Sequence, residues 1–353
     1  MKGRLVLEDG TVFEGEVLGS QGKVSGEVVF TTNMTGYQEV LTDPSFCGQI
    51  VAMTYPLVGN YGFNHSNSQS AATWVRGFVV REACELPSHY QSSKCISEYL
   101  CENQVVGLTG VDTRSLAKHI RDCGSMRGVI CTNGEDTSEL VRFLSNEDSA
   151  SLLEQVTTPR PYRIMGDGPR VVVLDLGIKT GILRQMMALD FDISVMPADT
   201  PVDVLADMKM DGLFLSNGPG NPEEAEDAIE AVTKLAGIVP VFGICLGHQA
   251  IALALGARTY KMKYGHRGGN QPVKHLESGR TYITSQNHGY AVDRESLCGT
   301  GLVVTHENQN DRTVEGMRHE QMPIVSVQYH PEGFPGPEDS TYLFAEFMKM
   351  MER

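Results

Sequence analysis

The sequence has little positive charge for its length. Its 353 residues include 29 lysines and arginines against 44 aspartates and glutamates, which gives a formal net charge of −15 at pH 7. A protein that binds nucleic acid or an anionic membrane surface through its overall field needs charge of the opposite sign. The composition therefore argues against those two partners and leaves a small polar substrate open.

A long apolar run is also missing. The longest stretch of this kind, residues 237–257, contains Pro240, His248 and Gln249, so it predicts a buried strand and a buried helix rather than a membrane span. The first residues lead into a short alternating strand and not into the apolar core of a signal peptide. We therefore expect a cytoplasmic protein without a membrane partner.

Two kinds of binding motif are absent as well. The eight cysteines show no C-x-x-C pair and no other metal-ligand spacing, so we expect reduced thiols and no metal site. The sequence contains no G-x-x-x-x-G-K-[ST], and no complete G-x-G-x-x-G follows a strand. These absences predict a chain that holds no cofactor of its own.

What the sequence does contain divides it into two parts. Residues 1–150 hold short strand-like runs, beginning with a hairpin around Asp9-Gly10, and few helical patterns. Prolines and glycines then interrupt the periodic patterns over residues 151–169, as in a linker. The last part spans residues 170–353: apolar strands alternate with helical patterns as far as residue 255, short strands return from residue 258, and residues 341–350 form a closing helix. The predicted fold class is α/β: a β-rich N-terminal domain, a linker, and a doubly wound, mostly parallel sheet.

The most informative segment is G-I-C-L-G at residues 243–247, between an apolar strand and a helical run. This pattern is typical of a nucleophile elbow, where the nucleophile occupies a strained turn and needs small neighbours. A thiol at a helix N-terminus is also favoured as thiolate, although a buried structural cysteine is the alternative. We predict that Cys245 is a nucleophile and that the Leu246 N–H stabilises an oxyanion. The turn at residues 217–220 is either a second oxyanion donor or a plain tight turn.

A cysteine nucleophile needs a base and a group that orients the base. His330-Pro331-Glu332 supplies both, because proline favours extended backbone and residues i and i+2 of an extended chain project to the same side. His248 and His288 are competing bases, but neither has a carboxylate at comparable spacing. We predict that His330 is the base and Glu332 its orienting carboxylate.

Together these motifs resemble the class I glutamine amidotransferases, in which a cysteine, a histidine and a glutamate hydrolyse the side-chain amide of glutamine. Further segments resemble the small, glutamine-hydrolysing chain of carbamoyl-phosphate synthases. They are M-T-G-Y-Q-E at 34–39, L-T-D-P-S at 41–45, M-K-Y-G-H-R-G-G-N at 262–270 and S-Q-N-H-G-Y at 285–290. This resemblance covers nearly the whole chain, including a β-rich half that other amidotransferases of the class lack.

The resemblance implies the same catalytic trio, Cys245, His330 and Glu332, and a set of glutamine contacts. Those contacts are Ser45, Gly218, Gly220, Leu246, Gln249, Asn287, Gly289 and Tyr290. Ser45 lies in a loop, residues 36–45, whose polar residues by themselves favour a surface turn. The resemblance instead brings this loop into the substrate site.

The resemblance further implies a division of labour between two chains. This chain would hydrolyse glutamine to glutamate and ammonia through a cysteine thioester. A large partner chain would use the ammonia, bicarbonate and ATP with Mg to make carbamoyl phosphate for pyrimidine or arginine biosynthesis. Another class I amidotransferase subunit is an alternative that leaves the first 150 residues unexplained. A catalytically silent regulatory subunit is a second alternative, against which the intact Cys-His-Glu set argues.

Overall fold

The computed structural model describes residues 1–64, 66–145 and 151–352. The chain forms two compact units, Met1–Ala150 and Ser151–Arg353. The ends predicted for the two domains, at residues 150 and 353, lie outside the described residues.

The first unit is built around a closed barrel. Its strands are β1 Lys2–Leu7, β2 Val12–Gly19, β3 Lys23–Thr31, β4 Gln49–Met53, β5 Leu57–Val58, β6 Gly77–Val79, β7 Glu82–Ala83, β8 Val106–Thr109 and β9 Met126–Cys131, and its helices are α1 Tyr37–Thr42, α2 Ile96–Glu102, α3 Thr113–Cys123 and α4 Thr137–Ser145. The barrel order is β1-β2-β8-β6-β4-β3-β9, and antiparallel pairing of β9 with β1 closes it. Strand residues alternate between two apolar clusters, one packed with α3 and the other with α1 and α2.

The surface turn favoured for residues 36–45 is wrong. Every residue of α1 is buried, and the 3-10 turn Pro44–Phe46 that follows is buried as well. The Tyr61 hydroxyl accepts hydrogen bonds from the backbone N–H groups of Gly36 and Tyr37 at 2.6 and 3.3 Å, so the start of the helix is satisfied inside the protein. A short helix that is buried at every position has no amphipathic period for a sequence pattern to reveal.

The second unit contains a ten-stranded sheet. Its strands are β10 Tyr162–Ile164, β11 Arg170–Asp175, β12 Asp192–Pro197, β13 Gly212–Leu215, β14 Val241–Ile244, β15 Thr259–His275, β16 Thr281–Val292, β17 Leu302–Asn308, β18 Val314–His319 and β19 Ile324–Val327, and its helices are α5 Leu152–Val156, α6 Thr180–Met187, α7 Val202–Asp207, α8 Glu226–Leu235, α9 Leu246–Ala254 and α10 Tyr342–Met351. The order is β10-β12-β11-β13-β14-β19-β18-β17-β15-β16, with parallel pairing from β12 to β19 and antiparallel pairing elsewhere.

Helices cover both faces of the parallel strands. On one face, Leu213 and Leu215 pack with α7, α8 and α9; on the other, Phe214 and Phe242 pack with α6 and α10. This arrangement explains why the strands are continuous apolar runs, since both faces of each strand are buried. The predicted fold class, a β-rich first part followed by a doubly wound sheet, is confirmed.

Residues 151–169 are not the irregular linker that proline and glycine predict. They include α5 and the strand β10, which pairs with β12 at the edge of the second unit's sheet. The reason is that an edge strand pairs along only one side, so it tolerates nearby prolines and glycines. Among the described helices, none has the length and apolar composition that a membrane crossing requires.

Candidate active site

Cys245 occupies a sharp turn between β14 and α9. Its backbone has φ 55° and ψ −103°, a conformation that residues with a side chain rarely adopt. The Cys245 N–H donates to the Val327 carbonyl oxygen at 2.9 Å, which ties the turn to β19. The thiol is buried, and its Sγ donates to the Asn287 carbonyl oxygen at 3.5 Å. The strained turn presents the thiol to β16.

Two glycines make this turn possible for a steric reason. A Cβ on Gly247 would lie 2.3 Å from the Leu215 carbonyl oxygen, and a Cβ on Gly243 would lie 2.7 Å from the Gly247 carbonyl group. Both distances are well inside van der Waals contact. The G-x-C-x-G pattern therefore reflects how closely α9 packs on β13 and β14.

His330 and Glu332 form the second part of the site. His330 Nδ1 donates to Glu332 Oε1 at 2.8 Å, and both side chains are buried. His330 Nε2 is buried and has no hydrogen-bond partner within the described part of the chain. Because Nδ1 carries the donated proton, Nε2 is the nitrogen that is free to exchange a proton.

The charges around His330 explain its pKa. Burial is the largest effect and lowers the pKa of the imidazole, and the Lys179 charge lowers it further. The charge and hydrogen bond of Glu332, together with the Cys245 side chain, outweigh both and raise the pKa to about 9. For Glu332, burial raises the pKa of the carboxyl group, but the charges of Lys179 and His330 lower it to about 2. At neutral pH these effects favour a carboxylate facing an imidazolium.

Lys179 is a site residue that the sequence analysis missed. Its Nζ donates to Glu332 Oε1 at 2.7 Å and also to the Phe334 carbonyl oxygen, and its side chain is buried. Lys179 occupies the N-cap position of α6 without capping it through its side chain, and the helix dipole disfavours a cation there. That unfavourable position is the signal that could have identified it.

We expect Lys179→Met to lower the free energy of unfolding by about 3 kcal/mol, because Glu332 would remain buried without its cation. Urea unfolding at pH 7 measures the change. Lys234→Met is the matched control: Lys234 forms exposed ion pairs with Asp203 and Glu230, and its loss should cost under about 0.5 kcal/mol. Equal losses of unfolding free energy in both variants would mean that the buried ion pair stabilises the fold no more than an exposed one.

The structure brings most of the predicted glutamine contacts of the second unit to the elbow. A Cβ on Gly218 would lie 2.8 Å from the Leu246 side chain, so the turn after β13 lies against the start of α9. Gln249 Nε2 donates to the Tyr290 carbonyl oxygen at 2.8 Å, which joins α9 to β16. The contact between Cys245 and Asn287 joins the same two elements. Gly218 of the turn at residues 217–220 therefore packs against Leu246, the residue that follows the nucleophile.

For the remaining predicted contacts, the structure gives neighbours other than the elbow. Gly289 lies on β16 beside Arg267, and Gly220, with φ 89°, lies near Glu224. Ser45 is in the first unit, where its backbone N–H donates to Asp43 Oδ1 at 2.9 Å. A role for Ser45 in glutamine binding stays a prediction.

The two competing histidines have other partners. His248 Nδ1 lies 2.9 Å from Ser326 Oγ, and burial lowers the pKa of His248 to about 3. His288 Nδ1 lies 2.7 Å from the Tyr290 carbonyl oxygen, and burial lowers its pKa well below the usual value. Both rings are neutral hydrogen-bonding groups at pH 7, whereas His330 is hydrogen-bonded to a carboxylate.

Three buried side chains near the site carry potential metal ligands. They are His266, His288 and Glu315, whose ligand atoms lie within 4.8 Å of one another. Glu315 also accepts hydrogen bonds from Gln286, Asn308 and Thr313. We therefore regard this group as a hydrogen-bonded cluster.

Comparison with known families matches both units of the chain. Residues 5–130 match the family described as carbamoyl-phosphate synthase small chain, CPSase domain. Residues 172–350 match the family described as glutamine amidotransferase class-I. The two matches follow each other along the chain in the order of its two units.

Individual relatives are similar over nearly their full lengths. The chain is 54% identical to the carbamoyl phosphate synthase small chain of Caldanaerobacter subterraneus subsp. tengcongensis, over 99% of this chain and 97% of that protein. It is 50% identical to the carbamoyl phosphate synthase small chain of Clostridium acetobutylicum, over 99% and 100%. It is also 48% identical to the carbamoyl phosphate synthase pyrimidine-specific small chain of Bacillus subtilis, over 100% and 96%.

Proposed function

The chain belongs to the family of carbamoyl-phosphate synthase small chains, the glutamine-hydrolysing subunits of that enzyme, and from this premise we propose a mechanism in which Cys245 forms a thioester with glutamine. The observation that carries the proposal is the buried arrangement of Cys245 at a strained elbow, with His330 paired to Glu332. A nucleophile, a base and an orienting group are the parts that covalent amide hydrolysis requires.

The first half of the reaction forms the thioester. The His330 imidazolium already holds the proton that Cys245 has given up, and the sulfur attacks the carboxamide carbon of glutamine as a thiolate. The oxyanion that develops is stabilised by the Leu246 N–H and by N–H groups of the turn at residues 217–220. His330 then protonates the amine as the C–N bond breaks, and ammonia leaves.

The second half releases glutamate. His330 removes a proton from water, the hydroxide oxygen attacks the thioester carbon, and the C–S bond breaks to return the Cys245 thiolate beside the protonated His330. Glu332 holds the His330 Nδ1 proton throughout, and Lys179 balances the buried carboxylate charge. The raised pKa of His330 suits a ring that must retain the thiol proton until the leaving amine takes it.

We further propose that the ammonia is delivered to a large partner chain that carries ATP with Mg and makes carbamoyl phosphate from bicarbonate. The lack of a phosphate-binding motif in this chain supports that division. The match of residues 5–130 to a small-chain domain favours this partner over those of other class I amidotransferases. We propose a cytoplasmic location, which suits eight free cysteines, all of them within the described residues.

A trapping experiment tests the thioester. The chain, purified with its native large partner, is mixed with glutamine, quenched in acid and digested for mass spectrometry. We expect a γ-glutamyl group on the peptide that contains Cys245. An adduct on another cysteine, or turnover of glutamine without any adduct, would contradict the proposal, and a silent regulatory subunit would show neither adduct nor turnover.

A further inference from the structure

Behind the strand that faces the thiol lies a second buried carboxylate, Glu315 of β18, which the mechanism does not use. Its side chain is 0% exposed. Its Oε2 accepts from Gln286 Nε2 at 3.0 Å, and its Oε1 accepts from Thr313 Oγ1 at 3.1 Å and from Asn308 Nδ2 at 3.3 Å. His266 Nδ1 lies 3.5 Å from the same Oε1. Glu315 therefore joins several segments of the second unit through one side chain.

The Gln286 side chain anchors a strand that is weakly held by its backbone. β16 is the last strand of its sheet, so its ladder is with β15, and one further backbone bond, from the His330 N–H to the Ser285 carbonyl oxygen at 2.8 Å, holds it just before Gln286. Near the site, that pairing is limited to three residue pairs, 266–268 with 286–288, and register shifts interrupt the ladder on both sides. Because the ladder is short here, contacts from side chains decide where this part of β16 lies.

The anchored part of β16 leads directly into the glutamine contacts. Gln286 and His288 project to one face of the strand, and Asn287 lies between them. The Asn287 carbonyl oxygen meets the Cys245 thiol, and the Tyr290 carbonyl oxygen accepts from Gln249. The supports of the thiol and the imidazole lie outside residues 287–290. β19 holds the Cys245 N–H, Glu332 holds the His330 ring, and the His330 N–H donates to the Ser285 carbonyl oxygen.

We propose that Glu315 is a positioning residue, which holds residues 287–290 in place through Gln286 and thereby sets the affinity of the site for glutamine. This inference rests on the proposed function, because it assigns residues 287–290 to glutamine. Glu315 does not touch the reacting atoms in this scheme. Its loss therefore weakens substrate binding and leaves the chemical step intact.

The test is Glu315→Gln in the complex with the native large chain, measured by glutamate release. A glutamine at 315 brings its own amide N–H groups against those of Gln286 or against the donors Asn308 and Thr313. We expect the KM for glutamine to rise about tenfold, as when one hydrogen bond to a charged group is lost, with kcat within about twofold of wild type. The rate at which iodoacetamide alkylates Cys245 should not change.

Two further variants keep the test decisive. Thr313→Val removes another hydrogen bond to the same carboxylate without touching β16, and we expect an unchanged KM. Gln286→Met cuts the anchoring bond from its other end, together with the contacts of Gln286 to His288 and Thr284, while Glu315 keeps Thr313 and Asn308. We expect a KM increase at least as large as in Glu315→Gln. If Glu315→Gln does not fold, Gln286→Met serves as the test in its place.

The outcomes separate this inference from the proposed function. An unchanged KM in Gln286→Met, equal KM values in Glu315→Gln and Thr313→Val, or a fall in kcat matching the rise in KM overturns the role of Glu315. A wild-type complex that does not hydrolyse glutamine overturns the proposed function instead.

Discussion

Cys245→Ser is expected to abolish glutamine-dependent synthesis of carbamoyl phosphate and to leave ammonia-dependent synthesis at the wild-type rate. The loss should be at least about 10⁴-fold, because removing the nucleophile of a covalent mechanism removes the whole pathway. Serine retains the size and position of the side chain, but its hydroxyl lacks the nucleophilicity of a thiolate. The measurement is carbamoyl-phosphate formation by the complex with the native large chain, with glutamine or ammonium as nitrogen source.

The control for this experiment is Cys298→Ser, at an exposed cysteine. It should leave both activities unchanged, because Cys298 lies outside the elbow and its thiol is not packed in the core. A Cys245→Ser complex that loses both activities equally would contradict the assigned role, since the defect would then lie in folding or assembly.

His330→Asn should lower kcat for glutamine hydrolysis by about 10³-fold, because the amide of asparagine cannot take and return a proton. His248→Asn is the matched control, since His248 is equally buried but contacts Ser326 and not a carboxylate. We expect kcat of the control within about tenfold of wild type. If both substitutions lowered kcat equally, His330 would not be distinguished as the base.

The same variant tests the pKa of His330 through stability. Folding raises this pKa from 6.5 to about 9, so the folded protein holds the proton more tightly than the unfolded chain. The resulting stabilisation is fully present below pH 6.5 and is lost as pH rises through about 9. Urea unfolding of the wild type should therefore show a falling free energy of unfolding over this range. In His330→Asn this contribution to the slope should disappear, whereas a slope identical to that of the wild type would contradict the raised pKa.

The parts of the site that could be predicted from sequence are those with local steric or spacing demands. Gly243 and Gly247 are required by close backbone contacts at one turn, so residues 243–247 alone are enough to predict the elbow. His330 and Glu332 are two residues apart, and extended backbone alone brings them to the same side. Alternating apolar strands and helices similarly indicate the doubly wound sheet, because each element carries its own pattern.

The parts that could not be predicted depend on distant segments. Lys179 and Glu332 are 153 residues apart, and no local pattern links them. Gln286 reaches Glu315 across 29 residues and several strands. Helix α1 could not be predicted from the sequence pattern, because it is buried at every position and so lacks a polar face. In each case the missing information is a tertiary contact rather than a propensity.

The position of β19 in the sheet has a consequence for the synthesis of the chain on the ribosome. β19 lies between β14 and β18, although β14 is made some 80 residues earlier. Until β19 emerges, the nascent chain carries the elbow on a strand with one open edge, and His330 has not yet been synthesised. A ribosome-bound chain that stops before residue 330 therefore exposes the thiol without its base. Under the proposed mechanism, glutamine cleavage and ammonia release cannot begin before residue 330 has been synthesised.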